Sequence, residues 1–293
     1  MKVGIYGQFY HANSGVYIEE LLNALGEENV EVAIEEEFFR LIDQNKSIEK
    51  DYHHFSTFRK LDSSFDLFLS VGGDGTILKA VNYIYDLNIP ILGINTGRLG
   101  FLATVNKEEI RSTISQLVKN QYSISERTLL CLSTEPEDDD CKRHFALNEI
   151  AVSRKNTTSM ITIETWLDDE YLTAYWADGL IVSTPTGSTG YSLSCGGPVI
   201  TPATKALAIT PIAPHNLNAR PLIITDNTKI RLKISGREED YLVSMDSRIT
   251  SYKNNTTVTI QKAPFTLKMV EFTGDTFLKT LRKKLLWGED KRN

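Results

Sequence analysis

Asp66-Leu67-Phe68-Leu69-Ser70-Val71-Gly72-Gly73-Asp74-Gly75-Thr76 decides the fold class. Asp66 to Val71 is a short apolar run, the pattern of a strand covered on both faces, and it ends on a glycine cluster. Ile77, Leu78, Val81, Ile84 and Tyr85 then recur at helical spacing until Asn88 and Pro90, and Ile91-Leu92-Gly93-Ile94 reads as another buried strand. Upstream, Lys2 to Gly7 reads as a first strand and Val16 to Leu25 as a helix; downstream, Ile110, Ile114, Leu117 and Val118 mark one further helix. This βαβαβ rhythm predicts a parallel sheet with helices on both sides. Glu31 to Phe39 fits either period, and Asp43 to Ser64 is polar enough to be an excursion from the sheet.

Past about residue 125 the rhythm changes to short alternating segments separated by turn signals: Thr128 to Ser133, Phe145 to Ser153, Met160 to Trp166, Tyr171 to Trp176, Leu180 to Thr184, Ile230 to Ile234, Thr256 to Gln261 and Leu267 to Val270. Asp168-Asp169 reads as a hairpin tip and Glu135 to Asp140 as a solvated acidic loop. The expected organisation is an α/β domain at 1–125, a β-rich domain at 126–272 and a helical tail at 273–293. Lys283-Lys284 in that tail suits a helix C-terminus.

Composition narrows the class. A chain of 293 residues with 41% hydrophobic and 24% charged residues suits a soluble protein of about two domains. A formal net charge of −6 argues against a nucleic-acid partner but leaves small anionic ligands open, because a phosphate site needs only a few local amides and cations. No apolar run is long enough for a membrane span, and Met1-Lys2 leads straight into a strand, so no membrane partner and a cytoplasmic location are expected. Cys131, Cys141 and Cys195 show no C-x-x-C spacing, so neither a disulfide frame nor a zinc site is expected, and no protein-held metal site is assigned.

Gly72-Gly73-Asp74-Gly75-Thr76 lies between a strand and a helix N-terminus, where free amides and the helix dipole favour an anion. Its glycines let the backbone approach a polyphosphate closely. Asp74 would repel such a ligand unless it takes a proton from an attacking hydroxyl or holds a metal ion; the motif alone equally suits a tight turn in which Asp74 caps its helix. Neither a P-loop nor a G-x-G-x-x-G after the first strand is present, which excludes the commoner phosphate loops. At the next strand end, Asn95-Thr96-Gly97-Arg98-Leu99-Gly100-Phe101-Leu102 offers Arg98 for phosphate and Phe101 for a base, or simply core and solvated residues. In the β-rich half stand Asn148-Glu149, Ala177-Asp178-Gly179 and Thr184-Pro185-Thr186-Gly187-Ser188-Thr189-Gly190-Tyr191-Ser192. That last run suits close hydrogen bonding of a planar or sugar ligand, or a flexible loop.

Taken together, G-G-D-G-T at Gly72 to Thr76, N-T-G-R-L-G-F at Asn95 to Phe101, N-E at Asn148-Glu149, D-G-L at Asp178 to Leu180 and P-T-G-S-T-G-Y at Pro185 to Tyr191 resemble the NAD kinase family. The resemblance covers residues 66–225, including Pro214 to Leu217 and Arg220 to Leu222. G-G-D-G-T alone is shared with lipid kinases of the diacylglycerol type, whereas the later motifs are far more selective.

The resemblance implies an α/β N-terminal domain with a parallel sheet, an all-β C-terminal domain and an active site in the cleft between them. It implies transfer of the γ-phosphate of Mg-ATP to the 2′-hydroxyl of the adenosine ribose of NAD, with Asp74 as general base and magnesium as cofactor. Gly72, Gly73, Gly75, Thr76 and Arg98 would serve the nucleotide, Phe101 would pack on the base, Asn148 and Thr189 would bind adenine, and Glu149 the ribose. Asp178, Ser188, Gly190, Tyr191 and Ser194 would complete the NAD contacts, in a homodimer or homotetramer. Strand alternation puts Asn148 and Glu149 on opposite faces, so an irregularity is expected there. Gly190 stands where many members have alanine, Met245-Asp246-Ser247 where Asp-Gly is usual, and Trp176 where a basic residue is frequent. A lipid or small-alcohol kinase and a non-catalytic nucleotide sensor are the competing readings.

Overall fold

Buried apolar strands followed by amphipathic helices leave a chain little choice but to stack the helices on a parallel sheet. The computed structural model describes residues 1–8, 14–46, 48, 52–135, 144–156 and 159–287. The chain divides into two units, Met1–Glu126 with Leu267–Asn293, and Arg127–Thr266.

In the first unit run β1 (Lys2–Gly7), α1 (Ser14–Glu27), β2 (Glu31–Glu35), α2 (Glu36–Asp43), β3 (Ser56–Phe58), β4 (Leu67–Gly72), α3 (Asp74–Ile84), β5 (Ile91–Asn95), β6 (Val105–Asn106) and α4 (Ile110–Val118). The strands lie in the order β5-β4-β1-β2-β3, every pair parallel. On one face, Ile18, Leu21, Leu25, Ile114 and Leu117 of α1 and α4 close over Val3, Ile5, Leu69 and Ile94, each burial contributing roughly 1.5–3 kcal/mol. On the other, Phe68 of β4 meets Tyr83 of α3 at 6.1 Å. The ambiguous Glu31 to Phe39 holds a strand and then a helix, joined where the Glu35 carboxylate accepts from the Phe38 amide at 2.9 Å. The polar stretch after α2 adds β3 to the sheet through the buried Phe58.

The second unit holds most of β7 (Ser123–Glu135), then β8 (Phe145–Ala146), β9 (Glu149–Arg154), β10 (Ile161–Leu167), β11 (Glu170–Ala177), β12 (Gly179–Ser183), α5 (Tyr191–Ser194), β13 (Ala206–Ile212), β14 (Leu222–Thr225), β15 (Ile230–Gly236), β16 (Asp240–Met245), β17 (Arg248–Lys253) and the first part of β18 (Thr257–Glu271). One sheet runs β14-β13-β12-β9-β16-β17 and another β11-β10-β15-β18, all pairs antiparallel. Val152, Leu180, Ile209 and Val243 from one and Ile163, Leu232 and Val258 from the other share one core. The α/β and all-β character expected from the sequence is what the two units show. Asp168 and Asp169, both at positive φ, form the expected tip between β10 and β11.

The chain then returns to the first unit, where Met269 of β18 pairs in parallel with Ile91 of β5 and α6 (Phe277–Leu285) follows. Three features depart from expectation or escape description. β13, β14, β16 and β17 were not anticipated as strands. Cys131 is disulfide-bonded, which corrects the expectation that the cysteines form no disulfide, whereas Cys195 is free. The acidic loop lies mostly outside the described residues. Among the described residues no helix is long and apolar enough to cross a membrane.

Candidate active site

The glycine cluster closes β4 and opens α3, with Gly73 as N-cap and Asp74 as the first helical residue. Asp74 does not cap its own helix. Its carboxylate reaches across to the loop after β5, where Oδ2 accepts from the Phe101 amide at 2.8 Å and Oδ1 from the Leu102 and Ala103 amides at 3.0 and 2.9 Å. A carboxylate has about four acceptor positions; three are occupied, and the one left over is on Oδ2.

That loop is fixed from within. The Asn95 side chain accepts from the Gly97 amide at 2.7 Å and donates to the Arg98 carbonyl, and Gly100 N–H bonds the Ala103 carbonyl at 3.2 Å. Lys284 of α6 donates to the Leu99 carbonyl at 2.6 Å and stands 5.6 Å from the centre of the half-buried Phe101 ring. Arg98 is exposed. Gly72 is buried at the strand end, whereas a side chain at Gly73 or Gly75 would meet nothing within 4 Å, so the backbone there is open to a ligand. Thr76 is fully buried and its hydroxyl accepts from the Gly73 amide at 3.3 Å. It holds the turn.

In the second unit the ladder breaks at Leu147 and Asn148, between β8 and β9, which is the irregularity that the adjacent Asn148 and Glu149 require. The break is held by Asp246, at the turn from β16 to β17, whose φ is 53°. Asp246 Oδ2 accepts from the Leu147 amide at 2.9 Å and Oδ1 from the Asn148 and Glu149 amides at 2.8 and 3.2 Å. Its own amide bonds the Glu149 carbonyl at 3.0 Å. Arg248 donates to the Phe145 carbonyl and lies 4.7 Å over the Phe145 ring.

Beside the break, Asn148 Oδ1 and Glu149 Oε2 are buried with no hydrogen-bond partner among the described residues. Burial, and then the charge of Asp246, push the Glu149 carboxyl up to about 8, against a smaller opposing effect of the Tyr191 amide. Burial raises Asp246 as well, opposed by its three amides and Arg248. A carboxyl raised by folding binds a proton that the unfolded chain releases. Stability therefore falls as pH rises between the ordinary carboxylate range and about 8. Glu149→Gln is expected to melt about 5 °C higher than the parent at pH 8 and level with it at pH 4, as scanning calorimetry would show; an equal gap at both values would remove the assigned cause.

The segment Thr184 to Tyr191 is a built element and not a flexible loop. Residues Thr186–Thr189 form a short 3-10 turn, and the fully buried Ser188 hydroxyl donates to the Pro185 carbonyl at 2.6 Å and accepts from Ile200 N at 2.9 Å. Ser188 thus shapes the turn. A Cβ on Gly187 would lie 2.0 Å from the Asn148 carbonyl oxygen and one on Gly190 3.1 Å from Glu149 Oε2, so this turn packs directly on the Asn148-Glu149 break. Thr189 is half-buried and bonds the Thr186 carbonyl at 3.2 Å. Tyr191 is 44% exposed, its hydroxyl raised by burial and by Cys195, Asp178 and Glu149 nearby. Asp178 pairs with Arg154 at 2.9 Å, Ser194 is exposed at the end of α5, and Trp176 is exposed with its ring 4.9 Å from His215. Among the described residues no three His, Cys, Asp or Glu side chains are grouped to hold a metal ion.

Sequence reasoning left Asp246 without a role and missed Arg248, Lys284, Gly100 and Gly187 as structural supports. Only the glycines carried a signal, as small residues inside polar motifs.

Family models for the ATP-NAD kinase N-terminal and C-terminal domains match residues 3–122 and 147–272. The chain is 66% identical to an NAD kinase of Christiangramia forsetii over the full length of both, and 41% identical to one of Bacteroides fragilis, again over both full lengths. Among solved structures, an Archaeoglobus fulgidus NAD kinase in complex with ATP superposes with a TM-score of 0.74 at 26% identity, covering 98% of this chain and 99% of that one. A yeast NADH kinase complexed with NADH gives 0.86 at 22% identity, covering 99% and 88%, a likeness of fold.

Proposed function

The chain belongs to the ATP-NAD kinase family, and on that premise we propose that Asp74 is the general base for transfer of the γ-phosphate of ATP to the 2′-hydroxyl of the adenosine ribose of NAD. One observation carries this reading: three amides fix the Asp74 carboxylate and leave a single acceptor position on Oδ2. A hydroxyl bonded there has its proton aimed at Asp74 and its lone pair free for phosphorus. The 2′-oxygen to phosphorus bond forms as the bond from phosphorus to the ADP oxygen breaks, and the hydroxyl proton passes to Asp74. In so loose a transition state the proton moves late, so orientation is a large share of what Asp74 contributes.

The open backbone at Gly73 and Gly75, at the N-terminus of α3, receives phosphate oxygens through amides. Arg98 supplies charge and Phe101 a surface for a base. Asn148, with an unsatisfied buried carbonyl oxygen, accepts the adenine amino group, and Glu149 bonds ribose hydroxyls; Thr189, Gly190, Tyr191, Ser194 and Asp178 border that position. Magnesium would arrive with the triphosphate as part of the substrate and neutralise its charge. Assembly as a homodimer or homotetramer and a cytoplasmic location complete the reading.

The test is transfer of label from γ-labelled ATP with magnesium, offered NAD, NADH, diacylglycerol and a sphingoid base in parallel. Label is expected on the dinucleotides, at the 2′ position by product mass and fragmentation. Label on a lipid, or release only as inorganic phosphate, would overturn it.

A further inference from the structure

We propose that Asp246 is the positioning residue for acceptor binding: it fixes the broken strand so that Asn148 and Glu149 present their side chains to one ligand. The inference rests on the reading of Asn148 and Glu149 as nucleoside contacts, and goes beyond it by assigning the residue that makes their joint use possible.

Adjacent residues in an unbroken strand point to opposite faces. To bring both to one side, the backbone must leave the ladder, and the amides of Leu147, Asn148 and Glu149 then lose their regular partners. Burial without replacement costs about 1–3 kcal/mol for each such group. Asp246 replaces all three with one carboxylate, at 2.9, 2.8 and 3.2 Å. Its position is fixed in turn: its amide bonds the Glu149 carbonyl at 3.0 Å, and the flanking Met245 and Arg248 pair across the β16–β17 turn. Arg248 faces Asp246 and binds the Phe145 carbonyl just before the break. The Gly187 backbone packs against the Asn148 backbone from the other side. The two side chains so placed carry the buried, unpartnered Asn148 Oδ1 and Glu149 Oε2. A purely structural clamp would have no reason to leave two polar atoms unsatisfied beside it.

Asp246 also acts on Glu149 through charge, because the groups that set the Glu149 carboxyl are its burial, Asp246 and the Tyr191 amide. Removing the Asp246 charge lowers the pH at which Glu149 ionises, and a ribose diol donates best to an ionised carboxylate.

The experiment compares Asp246→Ala, Asp246→Asn, Asn148→Ala and Glu149→Gln in the full-length enzyme, by steady-state kinetics in NAD and in ATP and by thermal melting. Asp246→Ala is expected to raise the KM for NAD by about 10–100-fold, the loss of one to two well-made polar contacts, with kcat and the KM for ATP within about threefold of the parent. Asp246→Asn retains an oxygen for the Asn148 and Glu149 amides, so its KM rises less. In that variant the fall of the NAD KM with rising pH should be displaced to lower pH, which loss of packing alone would not produce. Equal damage to both KM values and to kcat, or an Asn variant with elevated KM and an unmoved pH profile, would overturn the proposal. If Asn148→Ala and Glu149→Gln raise the NAD KM while Asp246→Ala does not, only the role of Asp246 fails. If those two leave it unchanged, the nucleoside reading fails and takes the proposal with it.

Discussion

Asp74→Asn is expected to lower kcat by about 10²–10⁴-fold while the NAD affinity stays within about threefold of the parent. The substitution keeps size and shape but removes the proton acceptor. It also removes an acceptor oxygen. With Asn Oδ1 kept on the Leu102 and Ala103 amides, which Asp74 holds at 3.0 and 2.9 Å, the new amino group faces the Phe101 amide, donor against donor. Turning the amide over costs two bonds instead of one. The loop therefore shifts at Phe101, and the melting temperature should drop by about 2–4 °C, matching roughly 1 kcal/mol for one lost hydrogen bond. Single-turnover phosphate transfer, paired with calorimetric NAD binding, separates chemistry from binding. Turnover within about tenfold of the parent would exclude proton acceptance as a main contribution of Asp74.

The same comparison shows how far sequence reaches. Asp66 to Thr76 was legible as strand, phosphate loop and helix because its information is local: an apolar run, three glycines and a helical period within one segment. The partners of Asp74 were not, since a carboxylate at a strand end gives no hint that it will bind amides 27 to 29 positions away. Asp246 is the stronger case, its three amides lying 97 to 99 positions upstream. The need for something there was nonetheless readable, because adjacent Asn148 and Glu149 cannot share a face on a regular strand. Thr76 and Ser188 mark another limit: in a motif rich in hydroxyls, composition cannot say which ones bond within their own turn. Ala206–Ile212 and Arg248–Lys253 were missed as strands for opposite reasons, Pro211 interrupting one and the other being too polar to read as half-buried.

Asp74 and Asp246 turn out to solve the same problem in separate units. Each gathers three consecutive amides from an irregular segment, so the segment is rigid without being a helix or strand. In the first unit the ligand-facing group is the clamp itself; in the second it is the residues clamped. This difference separates the expected phenotypes: loss at Asp74 falls on kcat, and loss at Asp246 on the acceptor KM.

Gly100→Ala is expected to reproduce much of the Asp74→Asn defect without touching the carboxylate. A Cβ at position 100 would lie 1.8 Å from Asp74 Oδ1, 2.5 Å from its Cγ and 2.9 Å from Oδ2. No side-chain rotation relieves this cheaply, because the oxygens are held by the amides of the next three residues. Either Asp74 leaves those amides or the loop moves by more than an ångström, and a displacement of that size at a reacting group costs about 10²-fold in rate. The melting temperature should fall by only a few degrees. Gly75→Ala supplies the control: its added methyl meets nothing within 4 Å, so it should leave melting unchanged and act through the triphosphate, raising the KM for ATP. Parent-like kcat in Gly100→Ala, with its fold intact, would show that the carboxylate works equally well unclamped, and the geometry on which its role as base depends would lose its force.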